Sequence, residues 1–540
     1  MPKISTTYPG VYVEEPPDTV RSIVDVNTST AAFIGRALKG PVNVPVPIYS
    51  FSEFERIFGG LWINSKMSYA VYQFFQNGGR DALIVRVQNG ATKSTIDIKG
   101  AFVIEVANEG AWSRNLEIQI EPINQKSFDN RDAINAELAL DPADNFTLFS
   151  LFVLERIRPD SELVTLESHK LLSTKSRSSR FVGKVLAEES QLIRIQDLKT
   201  VQAIQPVAAP QPSSQPGSSG STTSTYKATT VGGDGVQPKD EDIYNPDKPK
   251  SGIFALDKAD LFNVLCIPPY SESDVSLEVY LSALAYSEKR RAMLIVDPPS
   301  IWKSAQDPMN NITGIDGING FGRLRHKNAA IYFPRLKATD PAMDNREHEF
   351  VPCGAVAGVI ARTDAYRAVW KSPAGTEATL NGVSDLTVKL TDAENANLNS
   401  LGINCLRIIP TAGIVVWGAR TMSGADGLAD EWKYIAVRRM ALYIEESLYR
   451  GTEWAVFEPN DEPLWAQIRL NVGAFMHELF RKRAFQGTTP KEAYLIKCDS
   501  ETTTQNDIDR GIVNIVVGFA PTKPAEFLII KIEQTAGRTR

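Results

Sequence analysis

Histidines and cysteines are the residue types in this sequence that could bind a metal, transfer protons near neutral pH or form disulfides. No two histidines are separated by one helical turn, and no cysteines form a CxxC pair, so the sequence predicts no metal site. The cysteines stand singly in apolar, strand-like surroundings, which predicts buried free thiols. The positions are His169, His326, His348, His477, Cys266, Cys353, Cys405 and Cys498.

A serine nucleophile and a phosphate-binding loop are the next candidates. Ser423 lies near glycines in RTMSGADG, but this is not the GxSxG pattern, and no histidine is near it in sequence. The glycine-rich run GIDGINGFGRLR, residues 314–325, lacks the GxxxxGK[ST] pattern and has no strand directly before it. The sequence therefore predicts no catalytic residue, no cofactor and no enzymatic activity.

The composition of the chain disfavours some classes of binding partner. The chain has 540 residues, with 58 Lys and Arg against 64 Asp and Glu, for a net charge of -6. This balance argues against nucleic acid as the main partner, because such proteins usually carry a basic excess. The N-terminus lacks a signal pattern and no apolar run is long enough to cross a bilayer, so we expect cytoplasmic folding without membrane insertion.

The helices and strands that would position any site follow two sequence patterns, one of alternating helices and strands and one rich in strands. The stretch FFQNGGRDALIVRV predicts a helix, a Gly-Gly turn and a buried strand, which is an α/β unit. From about Gly90 the pattern becomes β-rich, and we expect strands in FVIEVANEG, NLEIQIEP, FTLFSLFVLER and SRFVGKVL. A loop without regular structure is predicted at about 205–250, because that segment is rich in Pro, Ser, Gly and Thr.

After Ser251 the α/β alternation returns and predicts a mostly parallel sheet. The last third contains two amphipathic helices, in DEWKYIAVRRMALYIEESLYRG and in NDEPLWAQIRLNVGAFMHELFRKRAFQG. In the second helix, Asn460 or Asp461 is a suitable cap and Pro463 falls in the first turn. The fold class predicted is α/β and α+β with several domains.

Both ends of the chain contain short strands with no evident partner. The opening stretch YPGVYVEEPP alternates apolar and polar residues, and prolines on both sides stop it from extending. A strand this short must pair with a sheet edge, either far away in sequence or in another molecule. The terminal stretch EFLIIKIEQ is likewise a predicted strand with no evident partner.

Together these motifs resemble the contractile tail sheath proteins of bacteriophages and of phage-tail-like injection machines. The matching stretches follow the family's order and cover most of the chain except the Pro/Ser-rich loop. They are YPGVYVEE, FFQNGGRDALIVRV, GAWSRNLEI, VPCGAVAGVIARTD, LNSLGINCLRIIPTAGIVVWGART, RRMALYIEESLYRGTEWAVFEPNDEPLWAQIR, FQGTTPKEAYLIKCD and FAPTKPAEFLIIKIEQ. Two positions depart from the family's pattern: Arg335 stands where tryptophan is expected, and Cys353 where proline or serine is usual.

The resemblance implies a fold. Residues 251–345 would form an α/β middle domain of the subtilisin-like type, which is the name of a fold and not of an activity. Residues 21–90 and 346–520 would form an inner α+β domain, and residues 91–250 an inserted β-rich outer domain. Residues 1–20 would be an N-terminal linking arm, and residues 521–540 a C-terminal linking strand.

The resemblance also implies a mechanical function. Rings of six subunits would stack as a sleeve around an inner tube in a metastable extended state, and would contract to drive the tube through a target envelope. The implied partners are further copies of the chain, the inner tube protein, the baseplate and a tail-terminator or cap protein. Assembly would take place in the cytoplasm of the producing bacterium, and the product would be a phage tail or an extracellular phage-tail-like particle.

Two groups of site residues follow from the resemblance. Residues 19–25 and 522–525 would be hinges of arms that pair with strands of a neighbouring copy. The strand-pairing residues would be Val11, Tyr12, Val13, Glu14, Phe527, Leu528, Ile529, Ile530 and Ile532. Arg481, Lys482 and Arg483 would contact an acidic tube exterior, although basic residues at a helix C-terminus are equally explained by the helix dipole.

Two other functions remain open at this level. An enzyme with the subtilisin-like fold would need a Ser/His/Asp cluster, which the sequence does not display. A non-contractile particle component, such as a tube or capsid protein, would be expected to be a smaller ring former. The sequence also leaves open whether the particle is a phage, a tailocin or an extracellular injection system.

Overall fold

The computed structural model describes residues 22–99, 101–123, 131–140, 148–156, 162–201, 224–313 and 320–526. The strands within these ranges are β1 Ala31–Gly35, β2 Val46–Ile48, β3 Ala82–Arg86, β4 Thr95–Ile98, β5 Phe102–Val106, β6 Leu116–Ile123, β7 Leu148–Arg156, β8 Leu163–Ser173, β9 Ile193–Ile195, β10 Ser224–Lys227, β11 Val264–Cys266, β12 Met293–Val296, β13 Ala329–Phe333, β14 Leu336–Asp340, β15 Arg346–Phe350, β16 Asp385–Leu386, β17 Ile403–Ile409, β18 Gly413–Val416, β19 Tyr494–Lys497 and β20 Val516–Phe519.

The helices are α1 Phe51–Phe58, α2 Lys66–Gln76, α3 Arg131–Glu137, α4 Val182–Glu188, α5 Asp240–Ile243, α6 Leu277–Lys289, α7 Gln306–Ile312, α8 Cys353–Tyr366, α9 Asp392–Ser400, α10 Ile435–Gly451, α11 Glu462–Arg481, α12 Pro490–Ala493 and α13 Gln505–Asp509. The predicted capping of the last long helix is confirmed, since the Asp461 side chain accepts a hydrogen bond from the Leu464 N–H and Pro463 lies in the first turn.

The main sheet has the strand order β18-β17-β13-β12-β11-β1-β3-β2. Its inner strands are parallel, and only the edge strands β2 and β18 run antiparallel to their neighbours. The strands are short apolar runs, as expected for a sheet covered on both faces. One face packs on α1, α2 and α8, and the other packs on α6 and α9.

A close helix pair holds one face of this sheet together. Helix α8 lies so near α2 that a side chain at Gly354 would meet the Ala70 carbonyl oxygen at 2.1 Å, and one at Gly358 would meet the Phe74 carbonyl oxygen at 2.5 Å. Only glycine allows this approach. Since Asp364 lies near the end of α8, the same packing fixes the position of that carboxylate.

The sheet combines strands from residues that the sequence analysis divided between two domains. Strands β1 to β3 and β17 to β18 belong to the predicted inner domain, while β11 to β13 belong to the predicted middle domain. The boundaries at residues 90 and 345 therefore do not coincide with a boundary of the sheet. Sequence patterns could not reveal this, because the pairing of β1 with β11 joins residues more than 200 positions apart.

Residues 91–250 contain two smaller sheets, with orders β10-β6-β7-β8 and β4-β5-β9, which share one apolar core. Two predictions are wrong here. The segment SRFVGKVL contains helix α4 instead of a strand, because Val182, Val185 and Leu186 bury one helical face. The predicted irregular loop is wrong for part of residues 224–250, since they contain β10, which pairs with β6, and the one-turn helix α5, with stretches between and after them that are neither helix nor strand. The rest of that predicted loop, residues 205–223, lies outside the described residues.

A separate apolar core joins α10, α11 and the antiparallel pair of β19 and β20. The stripe predicted for α11 is confirmed, because Leu464, Ile468, Val472, Phe475 and Leu479 are all buried. Several sheets in a mixed α/β arrangement confirm the predicted multi-domain α/β class at that level. The four cysteines are buried and free, as predicted. Within the described ranges, no helix has the length and apolarity needed to cross a bilayer.

Candidate functional site

The predicted strand-pairing residues, Val11 to Glu14 and Phe527 to Ile532, lie outside the described residues. The structure does describe the segments from which those residues would extend. We call residues 22–30 the N-terminal root and residues 520–526 the C-terminal root. Each root is held to the body of the protein by buried contacts that the sequence analysis did not identify.

The N-terminal root lies along helix α10. Ile23 is buried in the core of α10 and α11, and it packs so close to Gly451 that a side chain there would meet Ile23 at 2.6 Å. The Tyr443 hydroxyl donates a 2.5 Å hydrogen bond to Asp25. Burial and then the Asp25 carboxylate raise the pKa of Tyr443 above its usual range, which keeps the hydroxyl a donor. Asp25 therefore belongs to the attached part of the chain.

A second contact fixes the root three residues further on. Arg439 of α10 and Asp364 of α8 form a two-pronged ion pair, with nitrogen to oxygen distances of 2.8 and 2.5 Å. Thr28 joins it twice, because its hydroxyl donates to Asp364 at 2.6 Å and its carbonyl oxygen accepts from Arg439 at 2.8 Å. The charged side chains are only 3% and 4% exposed. We call this set the N-terminal anchor.

The N-terminal anchor leads straight into the main sheet. The Thr30 N–H donates to the Asn263 side chain at 3.0 Å, and β1 begins at the next residue. Strand β1 is flanked by β11 and β3 in the interior of the sheet. A pull on the N-terminal root would therefore be transmitted to an interior strand and, through Arg439, to helix α10.

The C-terminal root has a corresponding contact. Arg420, whose side chain is 1% exposed, donates to both oxygens of Glu526 at 2.8 and 2.6 Å. A third donor to Glu526 is the Tyr434 hydroxyl at 3.3 Å. Arg420 is held from its other side by Asp426 at 2.9 Å. We call Arg420, Asp426, Tyr434 and Glu526 the C-terminal anchor.

The predicted hinge at residues 522–525 lies between two attachments. On one side, Thr522 donates to the Ala484 carbonyl oxygen at 3.2 Å, and on the other side Glu526 is bound by Arg420. The chain between them contains Pro524, which restricts the backbone. The structure thus shows a short tether between two fixed points, and the hinge itself stays a prediction.

Strands β19 and β20 precede the C-terminal root. They pair with each other over four residues each, and among the described residues no further strand joins this sheet. Leu495 and Val516, one from each strand, are 53% and 47% exposed. A two-stranded sheet of this size is marginal alone, and within the described residues β19 and β20 are both edge strands, so the pair is a suitable acceptor for an added strand.

The three candidate tube-contact residues are brought together at the end of α11. Lys482 is used within the chain, since it pairs with Glu478 at 2.7 Å and with Asp25 at 3.4 Å. Arg481 and Arg483 are exposed, and no carboxylate of the described ranges pairs with them. Two of the three cations are therefore available to a partner, and the third supports the N-terminal root.

Sequence reasoning missed both anchors. One signal for the first was present, because Arg438 and Arg439 interrupt the apolar stripe of α10 and are only 5% and 3% exposed. A cation on the buried side of a helix indicates a buried acidic partner. No pattern pointed to Asp364, which lies 75 residues away in sequence.

The other candidate chemistries gain no support from the geometry. Ser423 is buried, and no hydrogen bond within the described ranges links it to a histidine. Among the same residues, no group of three or more His, Cys, Asp and Glu side chains could hold a metal ion.

Comparison with known proteins identifies related chains. The family model for the phage tail sheath protein central domain matches residues 253–422, and the model for the phage tail sheath C-terminal domain matches residues 429–535. The tail sheath protein of Vibrio phage KVP40 is 25% identical over 260 residues, which cover 46% of this chain and 37% of that protein. The tail sheath protein of Enterobacteria phage T4 is 25% identical over 200 residues, covering 36% and 28%. The chain thus matches only about a third of the length of these curated relatives.

Solved structures are similar over nearly the whole chain. The helical sheath of the anti-feeding prophage in its contracted state has a TM-score of 0.54 at 22% identity, covering 98% of this chain and 100% of that one. The contracted sheath of the extracellular contractile injection system PVC has a TM-score of 0.54 at 18% identity, covering 98% of each chain. A sheath tail protein of Listeria innocua has a TM-score of 0.57 at 12% identity, covering 93% and 96%. At these identities, the likeness is one of fold.

Proposed function

Because this chain belongs to the phage tail sheath family, we propose that it is the structural subunit of a contractile sheath. In this proposal, copies stack as rings of six around an inner tube and link through their terminal arms. The sleeve is assembled in a metastable extended state. On a signal from the baseplate it shortens, widens and drives the tube through a target envelope.

The two anchored roots are the main support for this proposal. The N-terminal root leads into β1, an interior strand of the main sheet, and the C-terminal root follows the strand pair of β19 and β20. A subunit that moves relative to its neighbours while staying linked to them needs flexible arms, and it needs each arm to be firmly attached to its own body. The buried ion pairs of Arg439 with Asp364 and of Arg420 with Glu526 supply such attachments. The open edges of β19 and β20 supply an acceptor where arm strands of a neighbouring copy add by backbone hydrogen bonds.

The middle of the chain acts as a rigid body in this mechanism. The main sheet, covered by helices on both faces, resists deformation because protein interiors are close-packed. We assign it the subtilisin-like fold, as the resemblance implies, without catalytic function. Residues 91–250 have their own core and form a domain on the outside of the sleeve. The contacts between neighbouring subunits are then made by the main sheet and by α10 and α11.

Contraction requires no bound cofactor in this proposal. The extended lattice holds its subunits in a poorer packing than the contracted lattice, and the difference is released as the rings turn. A bias of a few kcal/mol for each subunit is sufficient, because the preference between two states multiplies over many coupled copies.

The inner tube is the proposed partner of the end of α11. Arg481 and Arg483 would meet acidic groups of the tube exterior, and such contacts weaken as salt concentration rises. The baseplate and a cap protein would close the two ends of the sleeve. We place assembly in the cytoplasm of the producing bacterium and the mature subunit in a phage tail or phage-tail-like particle.

Electron microscopy of purified chains tests the proposal. The full chain should form long hollow helical tubes, alone or together with its tube protein and baseplate. A variant without residues 1–17 keeps the N-terminal root and anchor but lacks the predicted pairing strand, and should give loose rings or monomers. A matched control replaces residues 205–223 by a short Gly/Ser linker and should still form tubes, since it leaves both arms intact.

The outcomes separate the parts of the proposal. Tubes from the full chain and from the arm deletion alike would reject the linking role of the arm and keep the sheath. A full chain that stays monomeric even with tube and baseplate proteins would reject the sheath function itself.

A further inference from the structure

The loop between α10 and α11 carries the most exposed large apolar side chain of the described residues. Phe457 is 103% exposed, and its neighbour Val456 is 62% exposed. Phe457 has a φ of +71°, a left-handed conformation that is unfavourable for residues other than glycine. We call Val456 and Phe457 the loop tip. An apolar tip held in solvent by an unfavourable backbone marks an interaction site, because isolated chains gain nothing from this arrangement.

The loop tip is flanked by negative charge. Residues 452–461 contain three acidic residues and no lysine or arginine. Asp461 is used inside the chain as the cap of α11. Glu453 and Glu458 are exposed, and no cation of the described ranges pairs with either. A partner surface should therefore combine an apolar recess with positive charge at its rim.

A recess of this kind lies beside the C-terminal root. It has a volume of about 830 Å³, and its walls include Trp370, Ala374 and Trp417. Lys371 and Lys523 stand at its edge, and no described carboxylate pairs with either. The other charged groups of the lining are neutralised within the chain, by the pairs Arg407 with Asp392, Arg367 with Glu377, and Glu526 with Arg420. We call this recess the root cavity.

We propose that the loop tip of one copy docks in the root cavity of a second copy. The inference rests on the proposed sheath function and names a contact between its subunits. Phe457 would fill the aromatic recess, and Glu453 and Glu458 would face Lys371 and Lys523. An aromatic side chain in an apolar pocket ringed by complementary charge is the usual form of an interface anchor.

Two further observations favour a second copy of the chain as the partner. The loop tip and the root cavity share no residue, so one copy can offer each of them to a different neighbour, and the contact can then repeat around rings or along filaments. The nearest competing occupant is the C-terminal arm, which continues from Glu526 in the cavity wall. Residues 527–540 carry Lys531, Arg538 and Arg540 against Glu533, and this positive balance disfavours them beside the two lysines of the cavity.

Cross-linking between differently tagged full-length chains tests the contact. One population carries Val456→Cys, which leaves the Phe457 side chain in place, and the other carries Ala374→Cys, and the mixture is treated with a short bismaleimide under assembly conditions. The native cysteines are all buried, so they should react slowly. A matched control replaces Ile301, another apolar residue that is 71% exposed, by cysteine. We expect the 456–374 product to exceed the 301–374 product by about tenfold, because the thiols are linked efficiently only when the contact holds them together.

A charge exchange sharpens the test. Glu453→Lys together with Glu458→Lys should lower the 456–374 yield several-fold, and Lys371→Glu with Lys523→Glu in the other population should restore it. Glu453, Glu458 and Lys523 are exposed, so their substitution should leave the melting temperature of the parent unchanged. Lys371 is partly buried and donates to the Ser372 carbonyl oxygen at 3.0 Å, so the melting temperature of the variants at 371 is measured alongside.

Each outcome decides one claim. A yield at the level of the Ile301 control, a dominant 456–456 product, or a link from position 374 to residues 1–21 or 527–540 would each overturn the docking proposal. Tubes seen by electron microscopy without the link would reject the docking and leave the sheath function in place. The link without tubes, at high concentration, would support the contact and reject the sheath assembly.

Discussion

The arm roots and the end of the main sheet bury carboxyl groups in opposite ways. At the roots, Asp364 and Glu526 each receive two hydrogen bonds from an arginine. At the sheet, Asp297 directly follows β12 and is 4% exposed, yet only one of its oxygens is used, to accept the Cys353 N–H at 2.9 Å. Its other oxygen has no hydrogen-bond partner among the described residues.

The difference shows up in the protonation of Asp297. Burial raises its pKa to about 7, against the opposing effect of the hydrogen bond from Cys353. The Arg335 guanidinium, which is itself bound by Asp274 and Glu349, lowers the pKa less. A buried carboxylate that is paired with its own arginine stays charged and forms a firm attachment. A buried carboxylate without a cation becomes neutral by taking a proton. We therefore expect firm attachments at the roots, and at the sheet a contribution to the free energy of unfolding that depends on pH.

The largest effect is expected from breaking the N-terminal anchor. Arg439→Met leaves the Asp364 carboxylate buried without its cation, which should lower the free energy of unfolding by about 3–5 kcal/mol. Urea denaturation of the dilute full chain measures this. The matched control is the double variant Arg439→Met with Asp364→Leu, which removes both charges and should recover most of the loss. Equal destabilisation in the single and double variants would show that Arg439 acts by packing alone.

The sheet should respond to pH instead. Because the folded pKa of Asp297 is raised above that of the unfolded chain, protonation favours the folded state. Its contribution is complete at about pH 4 and is lost as pH rises to about 7 and beyond. Asp297→Asn should therefore be more stable than the parent at pH 8 by about 1–3 kcal/mol, after a cost for its unpaired amide group.

Melting curves of Asp297→Asn and the parent between pH 4 and pH 8 provide the measurement. The advantage of the variant should shrink toward acid pH. Neighbouring titratable groups are common to both chains, since Asp274 and Cys353 are unchanged. Parallel pH profiles for the two chains would show that Asp297 keeps its ordinary pKa and would remove this side of the comparison.

The C-terminal anchor should give a smaller change in stability and a larger one in assembly. Glu526→Gln keeps the shape of the side chain but replaces a charged hydrogen bond by a neutral one, which costs about 1–2 kcal/mol locally. The melting temperature should stay nearly constant, because the rest of the fold does not depend on the root. Tubes seen by electron microscopy should become shorter or disappear. Normal tubes from Glu526→Gln would show that the C-terminal arm needs no charged anchor.

The sequence predicted what depends on local pattern. The burial of one face of α11, its cap at Asp461 and the helix, turn and strand around Gly78 and Gly79 all follow from residues within one or two turns. The family and the predicted roles of the arms came from a resemblance over long stretches. The anchors did not follow, because each joins residues far apart in sequence, such as Thr28 and Arg439, and an ion pair leaves no periodic signal. The helix α4 was missed because its short apolar run fits a strand equally well.

The smallest effect is expected at Lys482, where the same kind of charges meet on the surface. Its side chain is 42% exposed and that of Asp25 is 51% exposed, so their ion pair should contribute less than about 1 kcal/mol. Lys482→Ala should leave the urea midpoint within error of the parent, in contrast with Arg439→Met. Arg481→Ala with Arg483→Ala should be equally silent in folding but should weaken binding to the tube protein at low salt. A clear loss of stability in Lys482→Ala would mean that the N-terminal root is held by Asp25 as much as by the buried anchor, and that burial does not separate the two kinds of contact.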